Sequence, residues 1–96
     1  MFDMMKKLQQ AQEEMKKIKA RLDTISVEGY SPEGKIKVNI TGNRKVEGII
    51  FVDESILSDK DQLEDYLVIA VNDAIEKADK VNETEMKSAA GAMMPG

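Results

Sequence analysis

Six basic side chains, Lys6, Lys7, Lys16, Lys17, Lys19 and Arg21, fall within the first 24 residues, against four acidic ones. Ammonium and guanidinium groups strung along one element can track phosphates, which they neutralise with release of bound counterions. The plainer reading is a solvated helix face. Asp3 stands four residues before Lys7, Glu13 four before Lys17 and Asp23 four after Lys19, spacings that pair opposite charges within a helix. Arg21 escapes that explanation, with Lys17 and Ile25 at four residues and Ile18 and Thr24 at three. Further along, Lys35 and Lys37 share an alternating stretch with Asn39, and Arg44 and Lys45 sit at a chain reversal. Gln9, Gln10, Asn39 and Arg44 are the residues suited to base or groove contacts.

Catalysis has little to work with. The chain holds no Cys and no His, which removes thiolate chemistry, the commonest general base and the commonest metal ligands. No Gly-rich phosphate loop and no Gly-flanked nucleophilic Ser is present. Glu64, Asp65, Asp73 and Glu76 read as a wet, acidic helix face, since no second helix offers matching ligands for a metal. The seven Met residues read as packing. We therefore expect no catalytic residue, no cofactor, no metal and no small-molecule substrate.

Charge is unevenly spread. Residues 1–24, 25–52 and 53–96 carry +2, +1 and −7, together the net −4 of the chain. An acidic protein can still present a basic surface when the signs are segregated in space. No window approaches the roughly 20 apolar residues of a membrane span, and the start "MFDMMKKLQQ" lacks a secretory leader's apolar core. A cytoplasmic location without membrane contact is expected.

The elements that position these groups are legible from periodicity. Met4, Leu8, Ala11, Met15, Ile18, Leu22 and Ile25 recur at spacings of four and three, a heptad seam on a long helix. Either the other helix of the same chain or a second copy can cover that seam. The pattern then changes to "TISVEGYSPEGKIKV", a hairpin signal, and "TGNRK" marks another reversal. Three antiparallel strands follow, near 25–30, 34–41 and 45–52. Ser58 with Asp61 three residues on is a capping-box pattern before Leu63, Leu67, Ala70, Ala74, Ala78 and Val81, which define a second long helix. A single domain over 1–87 and a flexible tail over 88–96 are predicted from "SAAGAMMPG".

Two elements carry one apolar face too many. Val46, Gly48, Ile50 and Val52 form one face of the third strand, yet Ile49 and Phe51 make the other apolar too, and Val68, Ile69 and Ile75 do the same for the second helix. A chain of 96 residues has limited core to offer, so a symmetric dimer burying Ile49, Phe51, Val68 and Ile75 is the expected solution. A first helix folded back over the sheet would instead give a monomer.

Nearly the whole chain resembles the YbaB/EbfC nucleoid-associated proteins, small bacterial DNA-binding homodimers. The likeness runs from "MMKKLQQAQEEMKKIKARL" through "GKIKVNITGNRKVEGIIFVDESIL" to "LEDYLVIAVNDAIEKADK" and "GAMMPG", with "KVNITGN" and "LEDYLVIAVNDAIEKA" its most specific parts. It departs from the family pattern at Asp53-Glu54, often Asp-Pro, and at "SPEG", often a Gly-rich run. The resemblance implies an α+β protomer of helix, three-stranded antiparallel sheet and helix, joined into a tweezer-like homodimer with projecting helical arms. It further implies double-stranded DNA as the partner, nucleoid localisation, and roles in nucleoid organisation and gene expression, with no catalysis.

On these residues, DNA contact falls to Lys6, Lys7, Lys16, Lys17, Lys19 and Arg21, with Lys35, Lys37, Arg44 and Lys45 beside them. The acidic half confines contact to the basic half, since carboxylates near DNA repel phosphates. The alternative is a coiled-coil protein-interaction or chaperone-like module, for which Met1, Phe2, Met4, Met5, Met93 and Met94 would be gripping tips.

Overall fold

A computed structural model describes residues 2–93. The order is α1 (Phe2–Asp23), β1 (Ser26–Tyr30), β2 (Ile36–Thr41), β3 (Val46–Phe51) and α2 (Lys60–Met93), with 3-10 turns at Pro32–Gly34 and Glu54–Ser58. The strands form one antiparallel sheet in the order β1-β2-β3. Helix, three strands and helix are thus arranged as the sequence predicts.

The alternation of β2 places Ile36, Val38 and Ile40, all fully buried, on one face. Over that face lie Ala70, Ala74 and Ala78 of α2, also fully buried, with Val27, Phe51, Leu63, Tyr66, Leu67, Val71 and Ile75 packed around them. Small side chains let helix and strand backbones approach closely, and Gly29 completes the fit. A Cβ built on Gly29 would lie 2.3 Å from the Ala74 nitrogen and 2.4 Å from the Ala70 oxygen.

α2 leaves from the Asp53–Asp59 side of the sheet, crosses its face and continues alongside α1. Its start differs from the capping-box expectation. Asp59, not Ser58, is the cap, accepting the Gln62 N–H at 3.1 Å, while the Ser58 hydroxyl donates back to the Ser55 carbonyl within the 3-10 turn. At its other end the helix runs on through 88–93. Ser and Ala continue a helix, one Gly costs it only about 1 kcal/mol, and the true breaker, Pro95, comes later. Of the expected tail, residues 94–96 lie outside the described residues, as do Met1 and Met94 of the expected gripping tips.

The lower part of the α1 seam, Ile18 and Leu22, is buried. Its neighbours include Asn82 and Met86 of α2, so the two helices run antiparallel and leave the sheet together. Among the described residues the upper seam has no such cover, with Met4, Leu8 and Met15 exposed by 71%, 62% and 51%. The result is a long body, 64 × 21 × 18 Å, with a radius of gyration of 18.4 Å where a compact chain of this length has about 12 Å.

Candidate nucleic-acid interface

The β2–β3 hairpin is clamped onto the end of α1. Gly42 N–H donates to the carbonyls of Leu22 and Ile25 at 3.1 and 3.0 Å, in a space where a Cβ would lie 2.9 Å from the Leu22 side chain. Asn43 Nδ2 donates to the Lys19 carbonyl at 2.8 Å and to the Asp23 carboxylate at 2.6 Å. The buried Thr41 hydroxyl accepts the N–H groups of Asn43 and Lys45, both at 3.2 Å, which fixes the turn. Arg44 takes φ 66°, the left-handed position that closes a three-residue hairpin loop and usually belongs to Gly.

These contacts bring Lys16 and Lys19 of α1 together with Asn43 at the base of the helical arm, and Arg44 and Lys45 follow Asn43 in the hairpin. A groove of about 280 Å³ runs there between α1 and α2, lined by Lys16, Lys19, Asn43 and Asn82 over a floor of Met15, Ile18, Leu22 and Met86. On the opposite side of α1 a second groove, about 290 Å³, is lined by Glu14, Lys17, Arg21 and Glu85.

The two grooves differ in available charge. Arg21 pairs with Glu85 at 3.4 Å, a partner 64 positions away, and Lys17 pairs with Glu14 at 3.5 Å, not with Glu13. Asp23 holds Asn43, not Lys19. Arg44 pairs with Asp79. Among the described residues Lys6, Lys7, Lys16, Lys19 and Lys45 have no carboxylate within 4.0 Å and are exposed. Lys6 and Lys7 sit on the projecting part of α1, with Lys19 about 18 Å further along the helix.

Lys35 and Lys37 are not gathered into this cluster. Lys35 lies at the other end of β2, some seven residues or about 23 Å from the hairpin turn, paired with Glu33 at 3.5 Å and 5.9 Å above the Tyr66 ring. Lys37 lies on the sheet face turned away from α2, 3.7 Å from Glu28, beside Asn39 and Tyr30. The Tyr30 hydroxyl donates to Glu28, and this bond, then Lys37, holds the Glu28 carboxyl below its ordinary pKa.

On α2 the acidic residues are partly occupied. Asp73 accepts the Tyr30 N–H at 2.9 Å and pairs with Lys77 at 3.0 Å, which together lower its pKa. Glu64 pairs with Lys60 at 3.8 Å. Among the described residues no three carboxylates gather into a metal site, and no helix is long and apolar enough to cross a membrane.

The four apolar residues expected at a dimer interface divide in two. Phe51 and Ile75 find partial cover in their own core, while Ile49 and Val68 stay 44% and 60% exposed. Pairing explains the division of β3. Phe51 and Ile49 lie opposite Ile36 and Val38, hence on the core side at the end of the sheet, and Ile50 lies opposite Lys37 on the other. A bulge at Glu47 then moves Val46 opposite Ile40, so Val46 does not share a face with Gly48 and Ile50 as alternation predicts. Val46, Ile50, Val52, Leu57 and Ile69 are exposed too.

No sequence pattern singles out Asn43 and Asn82 as parts of a site. The Gly-Asn pair at 42–43 signals a turn; that its amide would clamp α1 to the hairpin is carried by no local spacing.

The family comparison agrees with this architecture. The model of the YbaB/EbfC DNA-binding family matches residues 1–93. A nucleoid-associated protein of Flavobacterium johnsoniae is 45% identical over 95 residues, covering 99% of this chain and 89% of that protein. One of Chlorobium phaeobacteroides is 39% identical over 94 residues, covering 98% and 84%. An uncharacterized protein from Helicobacter pylori, of known crystal structure, shares the fold with a TM-score of 0.67 at 24% identity, over 91% of this chain and 98% of that one. With helix, sheet, helix and hairpin clamp in place along the matched length, this chain belongs to the YbaB/EbfC DNA-binding family.

Proposed function

We propose that this protein binds duplex DNA as a homodimer, through phosphate contacts made mainly by Lys16, Lys19 and Lys45 at the base of the arm, continued by Lys6 and Lys7 along α1. The observation that supports the reading is the clamp from Asn43 to α1, which seats the hairpin that carries exposed Lys45 against the α1 segment that carries exposed Lys16 and Lys19. Their side chains are exposed and need not shed an internal partner to meet a phosphate. Arg21, Arg44, Lys17, Lys35 and Lys37 each have a carboxylate to leave first, so their contribution is secondary.

The relatives' name, nucleoid-associated protein, fits a role on chromosomal DNA, with nucleoid organisation and effects on gene expression as its consequences. Phosphate contact carries no sequence information, so the binding is largely sequence-independent, with Asn82, Gln9 and Gln10 available to reach groove edges. Two protomers, each with one projecting arm, form the tweezer-like pair that holds the duplex.

The test is charge reversal of Lys16, Lys19 and Lys45 together, assayed by anisotropy of a labelled duplex. Affinity falls, and the slope of log affinity against log salt becomes shallower by about 0.9 for each phosphate that is no longer neutralised. Unaltered affinity and slope in a folded dimer rejects this surface. Exposure of Met4 and Leu8 on the arm is also what a client-gripping tip requires, so the same titration on a Met4→Gln, Leu8→Gln variant separates the readings: DNA binding survives there, whereas holding of an unfolded client does not.

A further inference from the structure

Two arginines of the basic half are held by carboxylates of α2. Arg44, in the hairpin, meets Asp79, and Arg21, near the end of α1, meets Glu85 at 3.4 Å. In both the contact is made by Nε, not by the two-bond fork that makes an arginine–carboxylate pair strongest. Surface pairs of this kind stabilise a fold very little. Carboxylate and phosphate oxygens both offer a guanidinium an anionic acceptor, so these two α2 side chains occupy the places that DNA phosphates would take.

The two ties stand in different surroundings. The Arg44 and Asp79 side chains are 49% and 47% exposed, so both stay hydrated when they part. Arg21 is 71% exposed, whereas Glu85 is only 18% exposed, in a groove that Glu14 also lines. When Arg21 swings outward, Glu85 is left poorly solvated and without a counter-charge. That cost makes the Glu85 tie the tighter of the two.

Arg44 supplies a second observation. Its φ of 66° is a conformation that glycine adopts freely and an arginine does not, and a half-exposed pair with Asp79 is too weak to explain an arginine there. A strained residue with so little structural return points to a use outside the fold.

We propose that Asp79 and Glu85 limit the affinity of this protein for duplex DNA, by holding Arg44 and Arg21 on internal carboxylates in place of phosphates. The inference rests on the DNA reading above and gives α2 a part in it. Lys16, Lys19 and Lys45 make the main contacts, and the two arginines are a reserve that the acidic helix withholds. Plain repulsion of phosphates acts at every acid of α2; a withheld arginine is particular to these two.

Asp79→Asn and Glu85→Gln each remove the charge and keep the size of the side chain. The controls are Glu76→Gln and Glu83→Gln, three residues before and four after Asp79 on the same helix. Both glutamates are exposed and, among the described residues, have no basic group within 4.0 Å. Binding is followed by anisotropy of a short labelled duplex at several salt concentrations, with circular dichroism to verify the fold of each variant.

Removal of either tie raises affinity about two- to fivefold beyond the controls, more for Glu85→Gln, and steepens the slope of log affinity against log salt by about 0.9. The gain requires the arginine. Arg44→Gln therefore lowers affinity more in the Asp79→Asn chain than in the unsubstituted one, and Arg21→Gln does the same with Glu85→Gln. Equal gains in the controls, or gains that survive loss of the arginine, overturn the proposal in favour of a general charge effect. A fall in affinity overturns it too, since the carboxylates would then be orienting the arginines toward DNA. In each of those outcomes the unsubstituted chain still binds and the DNA reading stands. An unsubstituted chain that fails to bind at low salt overturns both.

Discussion

Replacing Gly29 by Ala pushes α2 off the sheet, and the size of the effect follows from three distances. The new Cβ would sit 2.3 Å from the Ala74 nitrogen, 2.4 Å from the Ala70 oxygen and 2.6 Å from the Ala74 Cα, where ordinary contact begins at 3.4 Å. All three obstacles are helix backbone, so no rotamer change relieves them, and helix and strand must separate by about 1 Å. A gap of that size forfeits about a quarter to a half of each dispersion contact across it. Those contacts are the ones that Ala70, Ala74 and Ala78 make with Ile36, Val38 and Ile40, the buried centre of the molecule.

Overpacking against side chains costs roughly 1–3 kcal/mol, and rigid backbone puts this case at the top of that range. The lower chain entropy of unfolded Ala returns about 0.4–1 kcal/mol. The net is about 2–3 kcal/mol, or a fall in Tm of roughly 10–20 °C for a domain of this length. The assay is urea and thermal unfolding followed by circular dichroism at matched protein concentration, since any self-association makes stability concentration-dependent. Gly48→Ala is the control, because a Cβ there meets nothing within 4 Å. A Gly29→Ala protein within about 0.5 kcal/mol of the original refutes the close-approach reasoning. Equal destabilisation in Gly48→Ala refutes it too.

Two other predictions come from the hairpin and the β1 edge. Arg44→Gly relieves a left-handed residue of about 1–2 kcal/mol of strain while removing an exposed pair with Asp79 of about 0–1 kcal/mol, so stability by urea unfolding stays within about 1 kcal/mol or rises. A fall in stability above about 2 kcal/mol refutes that balance. Asp73 has its pKa lowered in the folded protein, first by the Tyr30 N–H and then by Lys77, so its contribution is full above the unfolded carboxyl value near 3.9 and is lost as pH falls through the lower folded value. Asp73→Asn, which keeps an acceptor for Tyr30, therefore shows a flatter decline of stability below about pH 4 than the original chain; parallel acid-unfolding curves contradict the assignment.

Strands, helices and the buried stripe of α2 were legible because each depends on local spacing. Ile36, Val38 and Ile40 alternate, and Ala70, Ala74 and Ala78 recur at helical period, so their shared burial needed only a sheet and a helix to meet. The bulge at Glu47 was not legible, because "VEGII" reads as uninterrupted alternation until its pairing with β2 is known. Pairing of charges was the weakest point. Spacing within α1 assigned partners to Lys17 and Lys19 and none to Arg21, whereas Glu85 of α2 meets Arg21 and Asp23 is taken by Asn43. Contacts across 20 to 64 positions obey tertiary geometry, which no window of sequence contains. The basic half of the chain was visible from its composition; which of its ammonium groups remain free was not.

The most direct test of the DNA reading is anisotropy of a short labelled duplex titrated with the unsubstituted protein at several salt concentrations. The expected result is saturable binding whose log affinity falls linearly with log salt, with a slope of about −0.9 for each phosphate neutralised, hence at least about −2.7 if Lys16, Lys19 and Lys45 each meet one phosphate. Absence of binding at low salt, where electrostatic association is strongest, or an affinity indifferent to salt would contradict it.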